Sequence, residues 1–300
     1  MTAKVILNPY AARWKASKLW PQAENALRKA GVQFEVEESI EPGHAIFLTL
    51  NAIRKGFNPI IAAGGDGTIG EVVNGILTAA PGPKAATLGI LPLGTANDLV
   101  DNLTMPRELD QAVSVIAAGH TKAIDICQVN DRYFINNAGI GLEPYITSLQ
   151  QDMIRTRGII RYLLATLKGI AHNPQWQMRL EWENGEYDGP VTLVSIGNAP
   201  RTGGIFYTVP GADPFDGQLT FVFGYIANRF DILRVLPKTM KAKEGNYTEH
   251  PAIQQHHTPW LKVKVRPSSP SHADGELFTS AVNDLDFRIH PAALPLLTNQ

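Results

Sequence analysis

The stretch Ile60-Ile61-Ala62-Ala63-Gly64-Gly65-Asp66-Gly67-Thr68 decides the fold, because four apolar residues run into three glycines, one carboxylate and one hydroxyl. Glycine adopts positive φ and has no Cβ, so its backbone N–H groups can reach the oxygens of a bound anion. Apolar residues then recur with the spacing of one helix face: Ile69, Val72, Val73, Ile76 and Leu77. The stretch predicts a strand, a phosphate-binding loop and a helix whose N-terminus faces the phosphate.

Asp66 adds a condition to this interpretation. A carboxylate beside phosphates is repulsive unless a cation lies between them, so the loop implies magnesium. A strand-to-helix turn whose glycines serve only chain reversal remains an alternative on the loop alone.

Composition limits the class of protein. Three hundred residues suggest two domains, and 27 Lys and Arg against 28 Asp and Glu give no reason to expect nucleic acid as a partner. Cys127 is the single cysteine, which excludes an internal disulfide and a multi-cysteine zinc site. We find no signal peptide and no apolar run long enough to span a membrane, and expect a cytoplasmic protein.

The first part of the chain alternates strand and helix signals. Strands are predicted at residues 4–7, 33–38, 60–63 and 87–91, with helices between them. Such alternation is typical of a mostly parallel sheet covered by helices. Ligands bind such sheets at the carboxyl ends of the strands, where the loops at Gly64 and Gly94 would meet.

The second part has the pattern of antiparallel β-structure. Residues 177–182 and 187–197 flank Asn184-Gly185, a preferred hairpin pair, and further strands are predicted at residues 218–224, 261–266 and 285–290. Within the second part, residues 153–171 form a predicted helix that is apolar at Met153, Ile154, Ile160, Tyr162, Leu163, Leu164, Leu167 and Ile170 and basic at Arg155, Arg157, Arg161 and Lys168. It is either a cover over the β-structure or a membrane-surface element.

Three further clusters carry candidate chemistry. Gly94-Thr95 is followed by Asn97-Asp98, Asp213 and Asp216 lie in one turn with Gln218, and Asp274-Gly275-Glu276 places two carboxylates across a glycine. Oxygen ligands of this kind suit a hard cation. Each cluster alone is also ordinary turn chemistry.

Taken in order, these motifs resemble the diacylglycerol kinase catalytic-domain family, in particular the bacterial soluble lipid kinases that are also similar to sphingosine and ceramide kinases. The resemblance covers nearly the whole chain, from Asn8-Pro9 to Asp274-Gly275-Glu276. It implies an N-terminal doubly wound α/β domain, similar to NAD kinases and phosphofructokinases, and a C-terminal mainly antiparallel β-sandwich. We place the first domain at residues 1–123, with or without residues 291–300, and the second at residues 124–290.

The resemblance also implies roles for single residues. Asp274 would be the general base that takes the proton of a lipid hydroxyl. Asp213, Asp216 and Gln218 would hold a magnesium ion, with Asp98 and Asp125 in the network around it. The residues implied at the ATP site are Asn8, Ser39, Gly64, Gly65, Asp66, Gly67, Thr68, Ile69, Gly70, Glu71, Thr95, Asn97 and Glu276.

The chain departs from the family pattern at three positions: Ala12, Gly70 and Asp101. Asp101 replaces a usual basic residue, so a phosphate or headgroup contact is either missing or supplied by Arg13, Lys15 or Lys18.

The function implied is ATP- and Mg²⁺-dependent phosphorylation of a lipid hydroxyl, such as that of diacylglycerol or phosphatidylglycerol. The alternatives are an NAD kinase-like small-molecule kinase and a catalytically weak nucleotide-binding lipid sensor. Apolar residues such as Ile205, Phe206 and Tyr207 could line a lipid groove in the β-domain. Peripheral membrane contact and a homodimer are left open.

Overall fold

The structure, a computed structural model, describes residues 2–80, 82–153, 158–172 and 174–299. The strands are β1 Ala3–Leu7, β2 Phe34–Glu38, β3 Ile60–Gly64, β4 Leu88–Pro92, β5 Thr121–Val129, β6 Arg132–Phe134, β7 Asn137–Gly141, β8 Trp176–Trp182, β9 Gly185–Val191, β10 Leu193–Gly197, β11 Leu219–Gly224, β12 Ile253–Thr258, β13 Trp260–Ser269, β14 Ser271–Ala273, β15 Glu276–Leu277 and β16 Val282–Leu297. The α-helices are α1 Ala11–Lys29, α2 His44–Arg54, α3 Asp66–Ala79, α4 Asp98–Asn102, α5 Leu109–Ala118, α6 Leu142–Asp152, α7 Gly158–His172 and α8 Arg229–Val235. Short 3₁₀ turns occupy Gly82–Lys84, Leu236–Met240 and Tyr247–Glu249.

The first four strands form a parallel sheet in the order β2-β1-β3-β4. The chain moves across the sheet in one direction from β1 to β2, and in the opposite direction from β2 through β3 to β4. Because each crossover is right-handed, the helix between β1 and β2 lies on one face of the sheet, and the helices that follow β2 and β3 lie on the other face. The contacts agree, since α2 packs on α3 and α1 packs on α5. The predicted strands and helices of this part are confirmed, and the fold is doubly wound.

The last strand joins the two halves of the molecule. β16 runs parallel to β4 at Leu296↔Leu88 and antiparallel to β5 and β13 along most of its length. Its far end, from Ala293 to Leu297, packs in the core of the α/β half together with Ile124 and Ile126 of β5. The exact domain boundaries in residue number stay a prediction.

The second half is a sandwich of antiparallel strands. One layer continues the large sheet through β13, β8 and β9, and the other has the order β12-β11-β10-β7-β14-β15. Apolar side chains from both layers fill the space between them, among them Met178 of β8, Val263 of β13, Ile196 of β10 and Phe221 of β11. The predicted fold class is therefore confirmed.

One predicted strand is wrong in its extent. Residues 187–197 do not form a single strand, because the chain breaks at Thr192 into β9 and β10, which belong to different sheets. The Thr192 N–H donates to the Gly224 carbonyl at 2.8 Å, and the Ile226 N–H donates to the Thr192 hydroxyl at 2.9 Å. These bonds hold the crossing point, which strand periodicity does not signal.

Helix α7 exposes the leucines that its sequence pattern placed on the apolar face. Leu163, Leu164 and Leu167 are exposed, whereas the smaller Ala165 and Gly169 are buried. Of the residues predicted for this helix, Ile154, Arg155 and Arg157 lie outside the described residues, as do the side chains of Ile160 and Tyr162. Among the described residues, no helix has the length and apolar character needed to cross a membrane.

We expect Gly75→Ala to destabilise the fold by about 1–3 kcal/mol, because a close helix contact leaves no room for a side chain. A Cβ at Gly75 of α3 would lie 2.6 Å from Cβ of Thr49 and 2.9 Å from the carbonyl oxygen of Ile46, both in α2. Thermal unfolding would measure the loss. Gly70→Ala in the same helix is the matched control, since its Cβ would meet nothing nearer than an Asp274 oxygen at 3.6 Å; an equal loss in both variants would contradict the packing argument.

Candidate active site

The two glycine-bearing loops touch at the carboxyl ends of β3 and β4. A Cβ on Gly65 would lie 3.1 Å from Cα of Gly94, and a Cβ on Gly94 would overlap Gly65. The Leu93 N–H donates to the Gly64 carbonyl at 2.9 Å. The two loops can approach so closely only when both positions are glycine. The close backbone contact therefore explains why Gly65 and Gly94 have no side chains.

Helix α3 begins at Asp66, three residues earlier than its apolar pattern starts. Gly64 allows this tight entry, since a Cβ there would overlap the side chain of Thr68. Asn8, which follows β1, donates from Nδ2 to the Thr68 hydroxyl at 3.1 Å. The N–H groups of the first helical turn have no partner within the helix and form an anion-binding end.

A groove of about 440 Å³ lies over this helix end. Eight of the residues predicted at the ATP site line it: Asn8, Ser39, Gly65, Gly67, Thr68, Glu71, Thr95 and Glu276. The other predicted residues are described by the structure but do not form part of the lining: Gly64, Asp66, Ile69, Gly70 and Asn97. Ile69 is fully buried and its N–H donates to the Gly65 carbonyl at 3.0 Å, so its predicted nucleotide contact has no free backbone donor.

Among the described residues, no Lys or Arg lines the groove, whereas Glu41, Glu71 and Glu276 do. Positive potential at the groove comes from backbone N–H groups and the start of α3. A polyphosphate bound there would need a metal cation as well, which agrees with the magnesium expected from Asp66.

Two polar residues of α3 have structural partners. The Glu71 carboxylate accepts the N–H groups of Gly43 at 2.8 Å and Ala45 at 3.0 Å, and so caps the start of α2. Asn74 donates to the Tyr133 carbonyl and accepts the Tyr133 N–H, both at 2.9 Å. Asn74 therefore joins α3 to β6, a function for which the sequence offered no signal.

Asp274 is held by the backbone of the segment that precedes β7. Its Oδ2 accepts the Ile135 N–H at 2.9 Å, and its Oδ1 accepts those of Asn136 at 2.8 Å and Asn137 at 3.2 Å. Burial raises the pKa of this carboxyl to about 6, against the lowering effect of the three N–H donors. A carboxyl with such a pKa can exchange a proton near neutral pH.

Glu276 lies on the other side of the same turn. Its Oε1 would be 3.4 Å from a Cβ on Gly67, and its Oε2 accepts from Nη2 of Arg132 at 2.5 Å. Arg132 is a functional candidate that the sequence reasoning missed, because nothing in the sequence near it forms a motif.

Asp66 and Asp98 lie close to one another below the groove. Asp66 Oδ1 accepts the Leu99 N–H at 3.2 Å, and Asp98 Oδ1 accepts the Gly204 N–H at 2.8 Å. Burial raises the pKa of Asp98, and the nearby Asp66 raises it further. A cation near these carboxylates would relieve this repulsion.

Asp101, the departure from the family pattern, is paired with two arginines. Arg107 binds it through both Nε and Nη2, and Arg201 binds it through Nη2. Arg201 also places Nε 3.7 Å from Asp98. Hydrogen bonds from Arg107, and then from Arg201, lower the pKa of Asp101. Arg107 and Arg201 thus provide the positive charge next to Asp101. The basic residues suggested from the sequence as replacements, Arg13, Lys15 and Lys18, are exposed on α1.

The predicted magnesium residues lie around the turn before β11. Asp213 accepts the Phe215 N–H and Asp216 accepts the Gln218 N–H. Asp125 accepts the N–H groups of Gly217 and Ala292, both at 2.7 Å, and thereby ties this turn to β16. Burial raises the pKa of Asp216, and Asp213 and Asp125 add to this effect.

Within the described residues, no three His, Cys, Asp or Glu side chains are grouped closely enough to hold a metal ion. A cation at the turn before β11 would therefore bind two carboxylates, those of Asp213 and Asp216, with backbone oxygen.

A second cavity, of about 330 Å³, opens in the β-sandwich. Its walls are largely apolar and come from α6, β10, α8 and the 3₁₀ turn Leu236–Met240. Of the three residues named from the sequence, Phe206 is part of the described lining, whereas Ile205 and Tyr207 are not. Gly275 also lines it, so the cavity reaches the turn that carries Asp274 and Glu276.

Comparison with known proteins agrees with this arrangement. Residues 2–129 match the family model of the diacylglycerol kinase catalytic domain, and residues 136–298 match the YegS C-terminal NAD kinase beta sandwich-like domain. A diacylglycerol kinase of Staphylococcus epidermidis is 30% identical over 277 residues, which cover 91% of this chain and 85% of that protein. The chain belongs to the diacylglycerol kinase family.

Further relatives extend the similarity to other organisms. The diacylglycerol kinase of Staphylococcus carnosus is 28% identical over 275 residues, covering 91% of this chain and 88% of that protein. This family membership confirms the predicted resemblance and identifies a kinase catalytic domain.

Solved structures confirm the fold. A crystal structure of a diacylglycerol kinase from Bacillus anthracis superposes with a TM-score of 0.75 at 19% identity, over 99% of this chain and 97% of that one. An NAD kinase from Archaeoglobus fulgidus in complex with ATP superposes with a TM-score of 0.51 at 11% identity, over 100% of this chain and 94% of that one.

We expect a double-mutant cycle of Asp101→Asn and Arg201→Gln to show a coupling of about 1 kcal/mol, because the pair is only partly exposed and connects α4 to the loop after β10. Urea unfolding of the wild type, both single variants and the double variant gives this value. The surface pair Glu24 and Arg28, four residues apart on α1, is the control and should show a weaker coupling of about 0.3–0.5 kcal/mol. Additive effects at Asp101 and Arg201 would contradict the contact.

Proposed function

We propose that this protein transfers the γ-phosphate of ATP to a hydroxyl group of a lipid. One observation carries the proposal: the turn Asp274-Gly275-Glu276 borders both cavities. Glu276 lines the groove over the start of α3, and Gly275 lines the apolar cavity. Asp274 directly precedes Gly275, and its Oδ2 would lie 3.6 Å from a Cβ on Gly70 of α3. A donor site and an acceptor site that share a carboxylate suit phosphoryl transfer.

The groove supports ATP as the donor. Backbone N–H groups at a helix N-terminus bind phosphate, and the volume of the groove is in the range of small-molecule sites, about 300–1,000 Å³. The NAD kinase of Archaeoglobus fulgidus, whose structure is in complex with ATP, has a similar fold.

The second cavity supports a lipid as the acceptor. Apolar walls favour acyl chains because burial of apolar surface provides about 25 cal/mol per Å². The polar nucleoside and phosphates of NAD would lose hydration in such a cavity without gaining enough partners. The lining therefore favours a lipid kinase over the NAD kinase alternative.

Asp274 acts as the general base in this proposal. Its carboxylate has about four acceptor positions, of which three are used by the N–H groups of residues 135–137, so one remains for the substrate. It accepts the proton of the lipid hydroxyl while the lipid oxygen forms a bond to the γ-phosphorus. The bond from that phosphorus to the bridging oxygen breaks, and ADP leaves with the electron pair.

In this proposal, a magnesium ion would bind to Asp213, Asp216 and the carbonyl of Gln218, because this ion prefers oxygen ligands. The two carboxylates repel each other, and a bound cation would reduce this repulsion. When bound, the ion would neutralise these charges and stiffen the turn that Asp125 ties to β16.

The protein surface next to the apolar cavity supports a contact with a membrane. Exposed apolar side chains lie on α7, on α8 and on the adjoining 3₁₀ turn, namely Leu163, Leu164, Leu167, Phe230, Leu233 and Met240. Arg229, Lys238 and Lys241 lie among them, and such a mixture favours the surface of an anionic bilayer. Residues of α8 and of the 3₁₀ turn also line the cavity, so a lipid could pass directly from the bilayer.

Asp274→Asn should reduce phosphate transfer by about 10²–10⁴-fold, because the amide cannot accept the proton. Purified protein with Mg²⁺ and labelled ATP, presented with a panel of detergent-solubilised lipid alcohols, measures transfer. ATP-dependent thermal stabilisation should be the same in variant and wild type. A sensor that does not turn over ATP would show ATP binding without phosphorylation of any lipid, and phosphorylation of NAD alone would favour the NAD kinase alternative.

We also predict how the rate of phosphate transfer in this assay depends on pH. Asp274 acts as a base only when it is ionised, and its pKa is about 6. The rate should therefore be constant above about pH 7 and fall about tenfold per unit below pH 6. A flat profile through pH 5 would contradict the assignment of Asp274 as the base.

We expect Mg²⁺ to raise the melting temperature of the wild type and to raise that of Asp216→Asn much less, because the variant loses a charged ligand but keeps an oxygen that can accept the Gln218 N–H. Differential scanning fluorimetry with increasing Mg²⁺ and no nucleotide measures both shifts. Asp284→Asn, at an exposed carboxylate far from the turn in sequence, is the control. Equal shifts in all three proteins would contradict a site at Asp216.

A further inference from the structure

The groove over the start of α3 is rich in negative charge. Three glutamates line it, Glu41, Glu71 and Glu276, and within the described part of the chain no lysine or arginine does. The Glu71 carboxylate is already bound to the N–H groups that begin α2. A nucleotide brings several more negative charges, so a cationic side chain within reach of the groove would favour its binding.

Glu276 faces the helix end at which a phosphate group would bind. Its Oε1 would be 3.4 Å from a Cβ on Gly67, in the first turn of α3. The N–H groups and the dipole of a helix N-terminus stabilise a carboxylate and a phosphate alike. Glu276 and a phosphate group therefore compete for the same end of α3.

Arg132 is the cation that contacts this carboxylate. Its Nη2 donates to Oε2 of Glu276 at 2.5 Å, and its guanidinium carbon lies 5.9 Å from the centre of the Phe278 ring. A guanidinium has five N–H donors. Among the described residues, Glu276 is the only hydrogen-bond partner of this guanidinium, so donors remain for a further acceptor.

The backbone around Arg132 is tied to the site on both sides of the proposed reaction. The next residue, Tyr133, exchanges two hydrogen bonds with Asn74 of α3, each of 2.9 Å. Two residues further along, the Ile135 N–H donates to Asp274 at 2.9 Å. Arg132 thus lies on a strand that is fixed to the helix with the anion-binding end and to the proposed base.

The pair of Arg132 and Glu276 is weak enough to exchange partners. The side chain of Arg132 is 30% exposed and that of Glu276 is 48% exposed. Ion pairs with such access to water contribute about 0–1 kcal/mol. A phosphate group presents two oxygens to the planar guanidinium and carries more charge than a carboxylate, so it can replace Glu276. Arg107 and Arg201 differ, because both are bound to Asp101.

We propose that Arg132 binds a phosphate group of the donor nucleotide directly and releases Glu276 when it does so. This inference rests on the proposed use of ATP in this groove. Arg132 supplies the positive charge that the lining lacks. Because it lies in β6, it also gives the second half of the molecule a direct contact with the donor.

ATP and adenosine together test the proposal, because the two ligands differ only in the triphosphate. Isothermal titration calorimetry with Mg²⁺ and without lipid measures both affinities, by displacement for the weaker ligand. Arg132→Gln should weaken ATP binding by about 10- to 100-fold, as expected for the loss of a hydrogen bond between charged groups, and leave adenosine binding unchanged. Unchanged ATP affinity overturns the inference, and so does an equal loss for ATP and adenosine. A wild type that binds no ATP overturns the proposed donor site as well.

Arg179→Gln is the matched control. Arg179 of β8 also bonds to carboxylates, those of Glu181 and Glu186, but it is not among the described residues that line either cavity. This variant should keep the wild-type affinity for ATP. A loss as large as that of Arg132→Gln would reveal a general effect of surface charge and overturn the inference.

The Glu276→Gln background separates a direct phosphate contact from simple neutralisation of Glu276. If Arg132 binds phosphate itself, Arg132→Gln still weakens ATP binding about tenfold or more in this background. If Arg132 only neutralises Glu276, the second substitution has no effect, and the inference is overturned. Arg132→Lys keeps the charge but not the planar fork, so its affinity should lie between those of the wild type and Arg132→Gln. It replaces Arg132→Gln in these comparisons if that variant does not fold.

Discussion

The hydrogen bonds of Asp274 are the constraint on which the rest of the site depends. One carboxylate accepts three consecutive backbone N–H groups, and the Asp274 N–H donates in turn to the Asn137 carbonyl at 2.8 Å. These bonds fix the turn after β14 against the start of β7. Because the turn borders the groove over the start of α3 on one side and the apolar cavity on the other, both cavities keep their places relative to this turn.

Carboxylates that accept backbone N–H groups recur around the site. Glu71 holds the start of α2, Asp66 that of α4, and Asp98 the loop at Gly204, while Asp125 joins β16 to the turn before β11. Each such bond replaces a hydration shell with fixed dipoles, so a buried negative charge is tolerated. The same residues bring several negative charges to this region, which the arginines at positions 107 and 201 partly offset through Asp101.

Much of the α/β half could be predicted because its signals are local. The run from Ile60 to Thr68 combines a buried strand, glycines and a helix face within one short segment, and a parallel sheet then places Gly65 beside Gly94. The break at Thr192 could not be predicted, since residues on both sides of it favour strands and only bonds to residues 224 and 226 separate them. The exposure of the leucines on α7 could not be predicted for a similar reason. The spacing of apolar residues shows which of them share a helix face, but it does not show which face packs against the rest of the protein.

The amino-acid sequence by itself determined the order of strands and helices, the two glycine loops and the carboxylate turns, and through its motifs the kinase family. These depend on backbone preferences and spacing, which act over a few residues. Only the tertiary structure decided which side chains meet: Asp101 with Arg201 across 100 residues, and Glu143 with His272 across 129. Contacts at such separations depend on how sheets and helices pack, and no local pattern records them.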